Sequence, residues 1–125
     1  MADDQHFKPG HRGPFNLVNR VVWSWNGCVD VWTRDSSFRS WVFANIISDF
    51  AAFMLPLTAG ERMMIVVLGI LVLASELMNT AIERLADLVE PRENDLIRAC
   101  KDAGSAAVAT TAIAGGVAWV MVLLS

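Results

Sequence analysis

The chain has no tyrosine and two cysteines, and only 18% of its 125 residues are charged. Each shortage removes a class of reading. Cys28 and Cys100 form no CxxC pattern, and two thiols allow one bridge at most. The distribution of basic residues places both on the reducing side of a membrane, so free thiols are expected. The net charge of −3 is too small to suggest a nucleic-acid partner, and no basic patch carries interleaved aromatics. There is no GxxxxGKS/T loop, no glycine-rich kinase loop and no HRD triplet. No apolar stretch follows the early basic residues as a signal peptide requires.

Apolar surface is abundant instead. Hydrophobic residues make up 54% of the chain, with five tryptophans, and the mean hydropathy is +0.43. A soluble domain of this size carries more charge, and tryptophan favours membrane interfaces. The expected fold class is therefore an all-α membrane protein. Residues 1–14, polar and rich in Gly and Pro, read as a disordered tail, and residues 15–125 as one membrane domain. In residues 15–34, Leu17, Val18, Val21, Val22, Trp25, Val29 and Trp32 recur at helical spacing between polar residues. That pattern predicts an amphipathic helix lying in the membrane interface. Spans are predicted at about 38–57, 62–88 and 103–124. Asp49 falls inside the first and is expected to be protonated, or hydrogen-bonded to a neighbour such as Asn45, one turn away.

Lys8, Arg12, Arg20, Arg34 and Arg39 precede or open the first span, and Arg84, Arg92, Arg98 and Lys101 lie between the second and third. Arg62 alone belongs to the other side. The positive-inside rule puts the N-terminus and the 84–101 connection in the cytoplasm and the C-terminus outside.

The second span ends unlike an ordinary membrane helix. Glu76, Asn79, Thr80, Glu83 and Asp87 return to one helical face, with Leu77, Met78, Ala81, Leu85 and Leu88 opposite. Glu76 and Glu83 lie ~10 Å apart along the axis. A helix end whose acids merely meet water explains Asp87, but Glu76 follows a long apolar run with no flanking charge. Carboxylates at membrane depth are usually functional. Downstream, Lys101 and Asp102 precede the small residues Gly104, Ser105, Ala106 and Ala107. Small residues permit close helix packing, and a lysine beside them can reach phosphate oxygens or simply anchor the span.

The segments "ELMNTAIERLAD" (76–87) and "ACKDAGSAAV" (99–108), with "WSWNG" (23–27) and "FR" (38–39), resemble the small integral-membrane diacylglycerol kinases of bacteria. The resemblance covers about residues 15–124. It implies an interfacial helix, three transmembrane helices and a homotrimer with shared active sites in the cytoplasmic (inner) membrane. It also implies ATP-dependent phosphorylation of a lipid hydroxyl, giving phosphatidic acid from diacylglycerol; a related branch phosphorylates undecaprenol. By position, Glu76 would be the general base and Asn79 a positioning group. Glu83 would be a Mg²⁺ ligand with Asp35 as its partner. Asn16, Trp23, Arg92, Glu93, Asn94, Lys101 and Asp102 would face the nucleotide, and Trp25, Arg39 and Ser105 the lipid. Four positions depart from the family pattern. Asp35 and Trp41 stand where glutamate is usual, Asn16 where arginine is, and Asp49 where an apolar residue is.

Two further readings differ in class. In a proton-coupled transporter Glu76 would titrate in the path, but Glu83, Asp35, Lys101 and Asp102 would then lack a purpose. A trimer that has lost activity would keep the fold alone.

Overall fold

The computed structural model describes residues 17–125. The predicted tail and Asn16 lie outside the described residues. Four helices follow one another: α1 (Leu17–Arg34), α2 (Ser36–Met54), α3 (Ala59–Val89) and α4 (Asp95–Leu124). There is no strand among the described residues.

Each boundary has a local cause. Between α1 and α2 only Asp35 leaves the helical conformation. Its side chain accepts from the Ser37 and Phe38 amides, at 2.9 and 3.5 Å, and so caps α2. At the other end of α2, Pro56 drives the preceding Leu55 into extended backbone. The helix therefore stops at Met54, three residues before the predicted end of the span. Thr58 and Glu61 then form a reciprocal capping box that starts α3. Asn94 accepts from the Ile97 amide at 3.0 Å and caps α4, with Asp95 favourably placed in the first turn. Because α4 begins at Asp95, Lys101 and Asp102 belong to the helix itself, not to a connection before it.

The central helix is α3, which packs most extensively on α4 and then on α2. The α2–α3 turn is held by Arg62, which donates to the carbonyls of Ala52 (2.9 Å) and Leu57 (3.4 Å) and lies over the Phe53 ring. Trp119 on α4 donates to Ser48 on α2 at 2.8 Å. Helix α1 folds back on α2, where Trp32 meets Phe43 and Arg39 donates to the Trp32 carbonyl at 2.6 Å.

The pattern of burial is inverted relative to a water-soluble bundle. Phe43, Ile46, Ile47, Phe50, Met63, Ile70, Met121 and Leu124 are exposed. Glu76, Asn79 and Thr80 are buried. An apolar exterior around an interior that holds these polar groups among apolar ones such as Ile65, Val72 and Val108 suits hydrocarbon as solvent. Helices α3 and α4 are apolar and long enough to cross a membrane. At 31 and 30 residues they run ~45 Å, more than a ~30 Å hydrocarbon layer. Helix α2 has 19 residues, and Arg39 and Asp49 make it less apolar. Asn45 does not serve Asp49: its amide donates to the Trp41 carbonyl at 2.9 Å, and Asp49 Oδ1 is buried without a partner.

Candidate active site at the α2–α3–α4 junction

Asp35 holds two elements at once. One carboxylate oxygen caps α2; the other accepts from Thr80 Oγ1 on α3 at 2.7 Å. Burial pushes this carboxyl up, but the hydrogen bonds from Thr80, Ser37 and Phe38, with Arg84 nearby, outweigh it and hold Asp35 below the usual carboxylate range. Asp35 is therefore ionised near neutral pH and fixed against the C-terminal part of α3.

The α3 face predicted from spacing is directed inward. Glu76 is 3% exposed, and Asn79 and Thr80 are nearly as buried. Glu83, one turn further, is half-buried and accepts from Asn79 Nδ2 at 3.2 Å. Asn79 Oδ1 has no partner although buried. Gly104 of α4 lies against that oxygen, and a Cβ there would overlap it. The glycine thus admits the Asn79 amide between α3 and α4. Asp35, Trp41, Glu76, Asn79, Glu83 and Ser105 line one cavity of about 320 Å³. Three carboxylates face it, and no basic side chain does.

Other predicted site residues lie outside this cavity. Lys101 is held by Asp87 at 2.6 Å, across the α3–α4 gap. Arg92 pairs with Glu90 at 2.9 Å, and Asn94 is the α4 cap. Glu93 and Asp102 are exposed at that end. Arg39 is engaged with Trp32, and Trp25 is 70% exposed on α1. Trp23 lies at the margin of exposure on the same helix.

Some residues at the site were not assigned from sequence. Thr80 was placed on the polar face, but its bond to Asp35 joins positions 45 residues apart and leaves no local signal. The Asp35 cap did leave one, since Asp-Ser-Ser before an apolar run is a helix-start pattern. A second cavity of about 340 Å³ is lined by Arg34, Asp35, Thr80, Glu83, Arg84 and Asp87. Nothing in local spacing brings Arg34 and Arg84 together. Asp30 does so by pairing with both, at 2.8 Å with Arg34.

The profile of the prokaryotic diacylglycerol kinases matches residues 22–123. The chain belongs to the prokaryotic diacylglycerol kinase family. It is 34% identical to a diacylglycerol kinase of Pseudomonas aeruginosa over 92% of this chain and 94% of that one. Identity to a diacylglycerol kinase of Escherichia coli K12 is 28%, over 87% and 89% of the two chains. For a diacylglycerol kinase of Haemophilus influenzae it is 29%, over 86% and 91%. As a member of this family the protein is an enzyme, a lipid kinase working at a membrane, and α3 and α4 are its two evident membrane-crossing candidates.

Family membership raises the question of a metal ion. Among the described residues no three His, Cys, Asp or Glu side chains gather into a self-sufficient metal site. Mg²⁺ does not require one, because it commonly takes one or two carboxylates and completes its octahedron with phosphate oxygens and water. Asp35 and Glu83 share both cavities and supply oxygen donors alone. The donor set fits a Mg²⁺ carried by a nucleotide.

Proposed function

We propose that this kinase transfers the γ-phosphoryl group of ATP to the hydroxyl of diacylglycerol, giving phosphatidic acid and ADP. The observation that carries the reading is Glu76, a carboxylate almost wholly buried in an apolar helix yet lining a cavity with Glu83, Asp35, Asn79 and Ser105. If the hydrocarbon layer begins near Arg62, ~30 Å of helix ends close to Glu83. Glu76 then lies ~10 Å deeper. The deeper acid meets a lipid headgroup, and the shallower one meets aqueous nucleotide.

In this mechanism Glu76 accepts the proton of the lipid hydroxyl. The freed oxygen forms the new bond to the γ-phosphorus, and the bond from that phosphorus to the bridging oxygen of ADP breaks. Asn79 donates to Glu83 and holds it in place between the two cavities. Ser105 and the Trp41 ring bound the lipid side of the cavity. Asp35 and Glu83 would hold Mg²⁺, whose charge would offset that of the phosphates. Lys101, at the α3–α4 gap, would add positive charge near the nucleotide, with Asp102, Arg92, Glu93 and Asn94 at the same end.

The same reading takes α2 as a third membrane crossing and α1 as a helix lying in the interface, with Trp25 and its apolar neighbours toward lipid. The apolar exterior leaves room for the homotrimer. The end of the bundle that carries the site is also the basic end, which supports a cytoplasmic site where ATP is available.

The test is transfer of radiolabel from [γ-³²P]ATP to lipid by the purified protein in mixed micelles, with diacylglycerol and undecaprenol in parallel. Label in phosphatidic acid is expected. Label only in undecaprenyl phosphate would assign the chain to the other branch. Absence of transfer to either lipid would contradict the reading.

A further inference from the structure

The second cavity differs from the first in the charge of its walls. Asp35 and Glu83 are the residues common to both. Toward Glu76 the walls carry no basic group, whereas the other cavity is bounded by Arg34 and Arg84. Asp30 lines up the two guanidinium groups, one on each of its oxygens: Arg34 Nε at 2.8 Å and Arg84 Nη1 on the other. Each arginine gives Asp30 one donor and retains a planar fork of further N–H groups. Such forks match phosphate oxygens. The Arg34 side chain is 74% exposed and that of Arg84 46%, so both remain reachable from water. Lys101 adds a third cation just beyond the rim through its bond to Asp87, itself a lining residue.

We propose that Arg34 and Arg84 form the binding site for the nucleotide's phosphate chain, on the water side of the Asp35–Glu83 pair. The proposal rests on the kinase reading above and adds the residues that recognise the phosphates. The γ-phosphoryl group then points between Asp35 and Glu83 toward Glu76, and the leaving ADP stays in the arginine-lined cavity. Arg34 and Asp30 are one turn apart on α1, so their pair links no two elements, whereas Arg84 and Asp30 do join α3 to α1. A bracing role is thus open to Arg84 and closed to Arg34.

The test compares the parent enzyme with Arg34→Gln, Arg34→Lys and Arg84→Gln in detergent micelles. The readouts are KM for MgATP, KM for lipid, thermal stability, and inhibition by tripolyphosphate, which offers phosphates without a nucleoside. Binding of a fluorescent MgATP analogue is measured separately. Removing a charge-assisted hydrogen bond should raise KM for MgATP about tenfold in each glutamine variant. The inhibition constant for tripolyphosphate should rise in parallel, with lipid KM within about twofold and Arg34→Lys falling between the parent and Arg34→Gln, because lysine keeps the charge but loses the planar fork. An unchanged KM for MgATP in Arg34→Gln would overturn the site. So would equal rises in both KM values accompanied by lost thermal stability. Arg34-dependent nucleotide binding in a protein that phosphorylates no lipid would uphold the phosphate site and sink the lipid-kinase reading. Lipid phosphorylation indifferent to Arg34 would do the reverse.

Discussion

Asp35 shows how one side chain can set the geometry of a site. Its carboxylate caps α2 and receives Thr80 from α3, so the helix start and the site form together. Because its pKa is held below the ordinary value, its stabilising effect is complete above the unfolded value of about 4 and is lost as pH falls through the lower folded one. Thr80→Val removes one of the bonds that lower it. The acid-unfolding midpoint followed by circular dichroism should therefore move to higher pH; an unmoved midpoint would remove Thr80 from that role. Gly104 acts through its missing side chain. Gly104→Ala would press a methyl group onto the Asn79 amide and turn it away from Glu83. A fall in kcat of ~10-fold or more is expected, as for other misplaced positioning groups, with the helical fold retained. Full activity in Gly104→Ala would show that the Asn79 amide shifts without cost and refute the clash.

At the scale of the helices, the sequence was most legible where burial is periodic and least where contacts are remote. The inward face of α3 could be read because Glu76, Asn79, Thr80 and Glu83 share one side of one helix. Helix α4 begins before the predicted span because its first two turns carry charged side chains that hydropathy does not count as membrane, and the Asn94 cap marks the start. Helix α2 ends early because Pro56 acts on its neighbour, a local effect that hydropathy averaging hides. The bonds from Thr80 to Asp35 and from Arg84 to Asp30 join distant positions, and no periodicity announces them. Of the two expectations for Asp49 the bond to Asn45 is not formed: Asn45 turns to its own helix and leaves Asp49 Oδ1 buried and unpartnered. An unsatisfied buried polar atom costs ~1–3 kcal/mol. Asp49→Leu should raise the thermal midpoint by several degrees and leave lipid phosphorylation intact. A folded but inactive Asp49→Leu enzyme would show that this carboxylate serves the reaction.

For the whole molecule, an apolar exterior and a small buried polar cluster meet at one end of the bundle, where most of the basic residues also gather. Orientation can be checked with the two native thiols. Cys28 and Cys100 are both exposed, on α1 and in the first turns of α4. A membrane-impermeant maleimide should label both in inverted vesicles and neither in intact spheroplasts. The opposite pattern would reverse the topology and separate the site from cytoplasmic ATP.

The proposed reaction divides labour between two glutamates on one helical face, the deeper one taking the proton and the shallower one serving MgATP. Steady-state lipid phosphorylation and MgATP binding should therefore be measured at several Mg²⁺ concentrations for Glu76→Gln and Glu83→Gln beside the parent. Glu76→Gln should lower kcat by ~10²–10⁴ while nearly retaining MgATP binding. Glu83→Gln should weaken MgATP binding and shift the Mg²⁺ dependence. Full activity in Glu76→Gln, or indistinguishable profiles for the two variants, would contradict it.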